Sequence, residues 1–196
     1  KHWIFDFGGV MIEKTFTLKN LWQILESDLK MKFPRDENSY FRKLRRKCGS
    51  GIISPREFLE KIVERYYQPK VEQGALPQKK VNIDYYLELW FSLYSQVTSL
   101  VPEMEELVIR LHRAGYTVSL MSNTFGVHAK SNELKGFYSL FDNVFLSNEI
   151  GIRKPDLEKY KYVVKKLDTK AKKCVFIDDK LANLVPARQL GFIVLR

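Results

Sequence analysis

The chain opens on a short apolar run, Trp3-Ile4-Phe5, as expected of a strand buried on both faces of a parallel sheet. After the Gly8-Gly9 turn the rhythm becomes helical. Leu18, Leu21, Trp22, Leu25 and Leu29 form one stripe, and Pro34 ends it. Tyr40, Phe41 and Leu44 mark a second helix closing on Arg45-Arg46-Lys47, followed by an expected polar loop, Cys48-Gly49-Ser50-Gly51. Ser54-Pro55-Arg56-Glu57 has the spacing of a helix start, with Ser54 as N-cap, Pro55 in the first turn and Glu57 at the capping-box position. The helix it starts carries Phe58, Leu59, Ile62 and Val63; residues 68–81 read as a loop, and Ile83–Leu93 as a fourth helix.

From Pro102 the pattern alternates. Met104, Leu107, Val108 and Leu111 form a helical face that Gly115 ends. Strands are expected at Tyr116–Met121, Val144–Leu146, Cys174–Ile177 and Phe192–Leu195, with helices at Leu157–Leu167 and Asn183–Leu190. Such alternation implies a parallel sheet with right-handed crossovers. The expected class is α/β: a Rossmann-like parallel core from residues 1–13 and 100–196, with a helical cap inserted at 14–99.

Composition narrows the class. A hydrophobic fraction of 45% with 29% charged residues suits a soluble globular chain. No apolar run approaches a membrane span or a secretory signal. Two cysteines, Cys48 and Cys174, fit a reducing, cytoplasmic setting; Cys174 reads as core and Cys48 as a loop thiol. The net charge of +10 favours anionic partners. The basic residues are scattered in short runs and carry no nucleic-acid signature, so the expected partner is a small phosphorylated molecule. The chain is expected to act as a monomer or homodimer.

Four polar sites follow the expected strands: Asp6, Ser122-Asn123-Thr124, Arg153-Lys154-Pro155 and Asp178-Asp179. In a parallel sheet all strand C-termini leave one edge, where these groups can converge. Three carboxylates, Asp6, Asp178 and Asp179, call for a hard cation, and Mg²⁺ with oxygen ligands and waters fits best. Lys154, the Ser122 hydroxyl and backbone N–H groups of the Ser122 loop would hold anionic oxygens. A carboxylate facing a phosphate so held can act as a nucleophile.

Asp6-Phe7-Gly8-Gly9-Val10, Ser122-Asn123-Thr124, Gly151–Asp156 and Phe176–Asp179 resemble the four ordered motifs of the haloacid dehalogenase-like hydrolase superfamily. Residues 178–191 are similar to the phosphatase domain of soluble epoxide hydrolases and to bacterial sugar-phosphate phosphatases; Gly51–Phe58 resembles the family's cap. The resemblance implies that Asp6 is nucleophile and metal ligand. It further implies that Ser122 and Lys154 bind the phosphoryl group, assisted by Asn123 and Gly9. Asp179 would bind the metal directly, Asp178 would hold metal-bound water, and the Gly8 carbonyl would be a further ligand. Asn183 would brace the turn.

Most phosphatases of the superfamily carry an aspartate where this chain has Gly8, and glycine cannot protonate a leaving group. The reading is a Mg²⁺-dependent phosphatase whose substitute acid is sought at Glu13 or in residues 45–50. A ligand-binding pseudo-phosphatase is the alternative. Haloacid dehalogenation is disfavoured, since it needs no metal and members of that kind lack the paired acids. Among the histidines, His128 follows the Ser122 loop and can approach a substrate; His112 reads as surface.

Overall fold

The computed structural model describes residues 1–34 and 40–196. Five parallel strands, β1 (His2–Phe5), β2 (Thr117–Ser122), β3 (Asn143–Leu146), β4 (Cys174–Ile177) and β5 (Ile193–Leu195), form one sheet in the order β3-β2-β1-β4-β5. The first strand is central because Ile4 and Phe5 are both fully buried, one on each face. Ile4 packs with Met121, Tyr160, Val163 and Phe176, while Phe5 packs with Met11, Val108, Val118 and Leu120. Phe5 pairs with Leu120 on one side and Ile177 on the other. Asp6 therefore leaves the sheet edge beside the ends of both neighbours. The strand order reverses between β1 and β4, the crevice where such sheets hold ligands.

The helical stretch after β1 comprises α1 (Thr17–Asp28), α2 (Tyr40–Gly49), α3 (Pro55–Tyr66), α4 (Gln68–Glu72) and α5 (Ile83–Val97). It has its own core around Leu21, Trp22, Phe41, Phe58, Ile62 and Trp90. Ser54 caps α3 as expected, its Oγ accepting from the Glu57 N–H at 3.0 Å. The remaining helices are α6 (Pro102–Arg113), α7 (Gly126–Leu134), α8 (Ser147–Ile150), α9 (Leu157–Lys166) and α10 (Leu181–Gln189). Among the described residues no helix is long and apolar enough to cross a membrane.

Several boundaries differ from expectation. Helix α2 runs on to Gly49 instead of giving way to a loop at Cys48. Cys48 lies four residues after Leu44 and seven after Phe41, so it completes their buried stripe. Burial pushes its thiol up to about 12, which makes it core, not a loop thiol. The expected loop at 68–81 contains α4, whose first turn tolerates Pro69. Helix α5 extends to Val97 and starts under an Asn82 cap. Helix α10 begins two residues before the expected Asn183. Helices α7 and α8 have too little apolar periodicity to be read from sequence; their buried positions include Ser131, Asn132 and Ser147.

Candidate active site

The sheet edge gathers the four polar sites. Lys154 is buried, and its Nζ lies 2.7 Å from Asp6 Oδ1 and 2.7 Å from Asp178 Oδ2. Asp6 Oδ1 also accepts from the Phe7 N–H at 2.7 Å. Burial raises the Asp6 carboxyl above its ordinary value; the Lys154 charge works against this and the Asp178 charge adds to it. Ser122, the last residue of β2, is buried beside them in the same cavity wall as Asp6 and Lys154.

Asn123 holds Lys154 from behind. Its Nδ2 donates to the Lys154 carbonyl at 2.8 Å and its Oδ1 accepts from the Lys154 N–H at 2.9 Å. This two-point clamp ties the loop before α9 to the end of β2 and fixes the root of the lysine. The Thr124 N–H of the Ser122 loop is committed to Ser147 Oγ at 3.0 Å, so it is not offered to a ligand as expected. Ser147 Oγ in turn donates to the Gly49 carbonyl at 2.5 Å, docking the end of α2 on the sheet edge.

The paired aspartates differ. Asp178 is fully buried and well partnered: it accepts from Lys154, from the Lys180 N–H at 2.9 Å and from Asn183 Nδ2 at 3.0 and 2.9 Å. The Asn183 carbonyl is fixed by the Tyr160 hydroxyl at 2.7 Å. Both carboxylate oxygens of Asp179 are buried and accept no hydrogen bond. Their nearest cation is Lys14, whose Nζ lies 2.8 Å from Oδ2 on a side chain that is 62% exposed. Ligand atoms of Asp6, Asp178 and Asp179 all lie within 4.8 Å of one another. An under-coordinated buried carboxylate in such a group suits a hard divalent cation. Gly9 makes room for the Asp179 and Lys14 side chains: its φ is +88°, and a Cβ there would lie 3.0 Å from Asp179 Cγ and Lys14 Cε.

Asp6, Lys154, Ser122 and Lys14 open into a cavity of about 640 Å³ under the helical stretch, lined also by Gly8, Phe16, Tyr94, Phe125, His128 and Arg153. His128 is there because Trp90 and Tyr94 of α5 hold it. The Trp90 Nε1–H donates to Nε2 at 2.9 Å, and the Tyr94 ring stacks on the imidazole at 3.8 Å. Burial lowers His128 to about 3, so it is neutral, with Nε2 as acceptor. Burial likewise raises Tyr94 to about 12.

Neither place expected to supply a substitute acid brings a carboxylate to the cavity. Glu13 is exposed and outside the cavity wall, and residues 45–50 carry no carboxylate. Among the described residues Asp6 is the one carboxylate lining the cavity. His112 is half-buried against Asp142, 3.2 Å away. Lys14 and Tyr94 had no signal in the sequence: each is brought in by a turn or a helix packing outside the motifs.

A family model described as haloacid dehalogenase-like hydrolase matches residues 1–191. The chain belongs to that family. It is 29% identical over 200 residues to a sesquiterpene phosphatase of Aspergillus oryzae, covering 97% of this chain and 86% of that protein. A shorter match, 39% over 62 residues, joins it to a glyceraldehyde 3-phosphate phosphatase of Methanocaldococcus jannaschii, covering 31% of this chain and 27% of that protein. Among solved structures, a family enzyme of Bacteroides thetaiotaomicron in complex with magnesium and inorganic phosphate superposes with a TM-score of 0.72 at 26% identity. That match covers 100% of this chain and 92% of the other. The α/β Rossmann-like class is thereby shown, and the chain is a hydrolase of a family with phosphatase members.

Proposed function

We propose that the chain is a Mg²⁺-dependent phosphatase acting on a small organic phosphate, with residues 14–99 as a cap over the site. The observation that carries this reading is the buried triad of Asp6, Lys154 and Asp178 beside the Asp179 carboxylate, whose oxygens accept no hydrogen bond and face only the exposed Lys14 ammonium. Asp6, Asp179 and the Gly8 carbonyl would hold Mg²⁺, with Asp178 holding a water of its shell. The ion would neutralise charge on the phosphoryl oxygens. The magnesium and phosphate complex of the Bacteroides relative and the names of the phosphatase relatives support the assignment.

In this mechanism Asp6 Oδ1 is held by Phe7 and Lys154, and the other carboxylate oxygen attacks phosphorus in line. An Asp–O–P bond forms while the bond from phosphorus to the ester oxygen breaks. Lys154 and the Ser122 hydroxyl hold the transferring oxygens, and the Gly9 turn lets the phosphoryl group approach. Water then attacks the aspartyl-phosphate at phosphorus, returning the carboxylate and releasing phosphate. With Gly8 in the acid position and no carboxylic acid besides Asp6 lining the cavity among the described residues, the leaving oxygen takes its proton from water. Esters with acidic leaving groups, such as anomeric sugar phosphates, are the preferred class. The apolar wall of Phe16, Phe125 and Tyr94 would accept a carbon skeleton. Binding without turnover is the second reading, favoured by Gly8.

The test is phosphate release from a panel of phosphate esters with Mg²⁺ and with EDTA, for the wild type and Asp6→Asn. Turnover that needs Mg²⁺ and falls by at least about three orders of magnitude in Asp6→Asn supports the reading. Metal-independent turnover, or equal turnover by the variant, refutes it.

A further inference from the structure

The cavity holds more positive charge than one phosphoryl group requires. Lys154 is matched by Asp6 and Asp178, and Lys14 by Asp179. Arg45 and Arg153 line the same cavity, and among the described residues neither has a carboxylate within ion-pair distance. They reach it from opposite sides. Arg153 precedes Lys154 on the sheet-edge loop, while Arg45 is on α2, in the helical stretch.

Their approach is built in. Gly49 lies four residues after Arg45, on the same face of α2. The Arg153 guanidinium occupies the space where any larger residue at 49 would put its Cβ, 1.8 Å from Nη1. The Ser147 bond to the Gly49 carbonyl pins that face to the sheet edge. The acid facing Arg153 is Asp156. It raises the guanidinium's affinity for its proton less than burial and the charges of Arg45 and Arg46 lower it. Two guanidiniums converging without a counter-ion at the wall of a reaction cavity lack their anion. Arginine's planar fork matches carboxylate and phosphate oxygens.

We propose that Arg45 and Arg153 form a second anion subsite, so that the substrate is a phosphate ester bearing a further carboxylate or phosphate group. This rests on the phosphatase reading for its place in catalysis, but the subsite itself is a binding property. One guanidinium comes from each side, so the second anion bridges helix α2 to the sheet edge and favours the closed cavity.

Calorimetric titration of Asp6→Asn protein with Mg²⁺ separates binding from turnover. Phospholactate and isopropyl phosphate differ by one carboxylate; propanediol bisphosphate and propyl phosphate differ by a second phosphate. The expected result is at least roughly tenfold tighter binding of the doubly anionic member of one pair, the pair identifying the anion. Arg45→Ala, at an exposed position, should abolish that preference, and Arg153→Lys should weaken it while keeping the packing on Gly49. Equal binding within both pairs, or a preference that survives Arg45→Ala and Arg153→Lys, would overturn the proposal. If the wild type hydrolyses no ester but the Arg45-dependent preference persists, the phosphatase reading fails and the subsite stands.

Discussion

Replacing Gly8 by aspartate should supply a carboxylic acid donor at the position where most phosphatases of the family carry one. Gly8 lines the cavity, its backbone is outside the left-handed region, and a Cβ built there meets nothing within 4 Å. An aspartate can therefore enter without displacing Asp6 or Lys154. Beside Asp6, Asp178 and Asp179 its carboxyl would be raised by like charge, which suits it to carry a proton near neutrality. A positioned general acid contributes roughly 10²–10⁴-fold, or about 3–5 kcal/mol of barrier at 1.36 kcal/mol per tenfold. The gain should fall on esters with poor leaving groups, since an acidic leaving oxygen needs no proton. The assay is kcat/KM along a series of aryl and alkyl phosphates for wild type and Gly8→Asp. The wild type should fall steeply as leaving-group basicity rises, and the variant should flatten that line. Parallel lines from a variant of unchanged melting temperature would refute the reasoning.

Three further outcomes follow from the structure. Lys154→Met leaves Asp6 and Asp178 facing each other without the buried ammonium, at a cost of about 3–5 kcal/mol. In EDTA its melting temperature should drop by about 10 °C, and adding Asp178→Asn should recover part of it; no drop in the single variant would contradict the pairing. Lys159 is fully buried, its ammonium bonded to the Phe145 carbonyl at 3.1 Å, and burial lowers it to about 7 from 10.5. Between those values the unfolded chain holds a proton that the folded one lacks. Stability should therefore rise with pH from about 7 to 10.5, by roughly 4 kcal/mol at the upper bound, and Lys159→Met should remove that slope in denaturant titrations. Gly51→Ala would place a Cβ 1.9 Å from the Asn148 carbonyl at a φ of +68°. It should cost about 1–2 kcal/mol from the backbone alone and raise KM by loosening the helical stretch from the sheet edge; an unchanged KM would refute that docking.

Much of the fold was legible because its signals are local. Trp3–Phe5, Val118–Met121 and Cys174–Ile177 are apolar runs that end in a polar switch, and parallel topology brings such ends to one edge. The order of Asp6, Ser122, Lys154 and Asp178 along the chain therefore indicated their proximity. What the sequence concealed depends on packing between distant elements. Cys48 looked polar by its neighbours and is buried by its helix face. Asn123 read as a helper of the phosphoryl-binding residues, and its amide clamps the Lys154 backbone. Helix α7 has weak periodicity, and His128 on it is placed by Trp90 and Tyr94 of α5, residues 38 and 34 positions earlier. Asp178 and Asp179 are adjacent in sequence and opposite in character, since only the first meets Asn183 and Lys154.

If the Asp6 carboxylate receives the phosphoryl group, the Asp–O–P bond can be trapped. An enzyme turning over a phosphate ester with Mg²⁺ is acid-quenched and reduced with borohydride, which converts an aspartyl-phosphate to homoserine. Peptide mass spectrometry then reads residue 6. Homoserine at that position with substrate, and none without substrate or in Asp6→Asn, is the predicted result. Sustained hydrolysis with position 6 unmodified would contradict it.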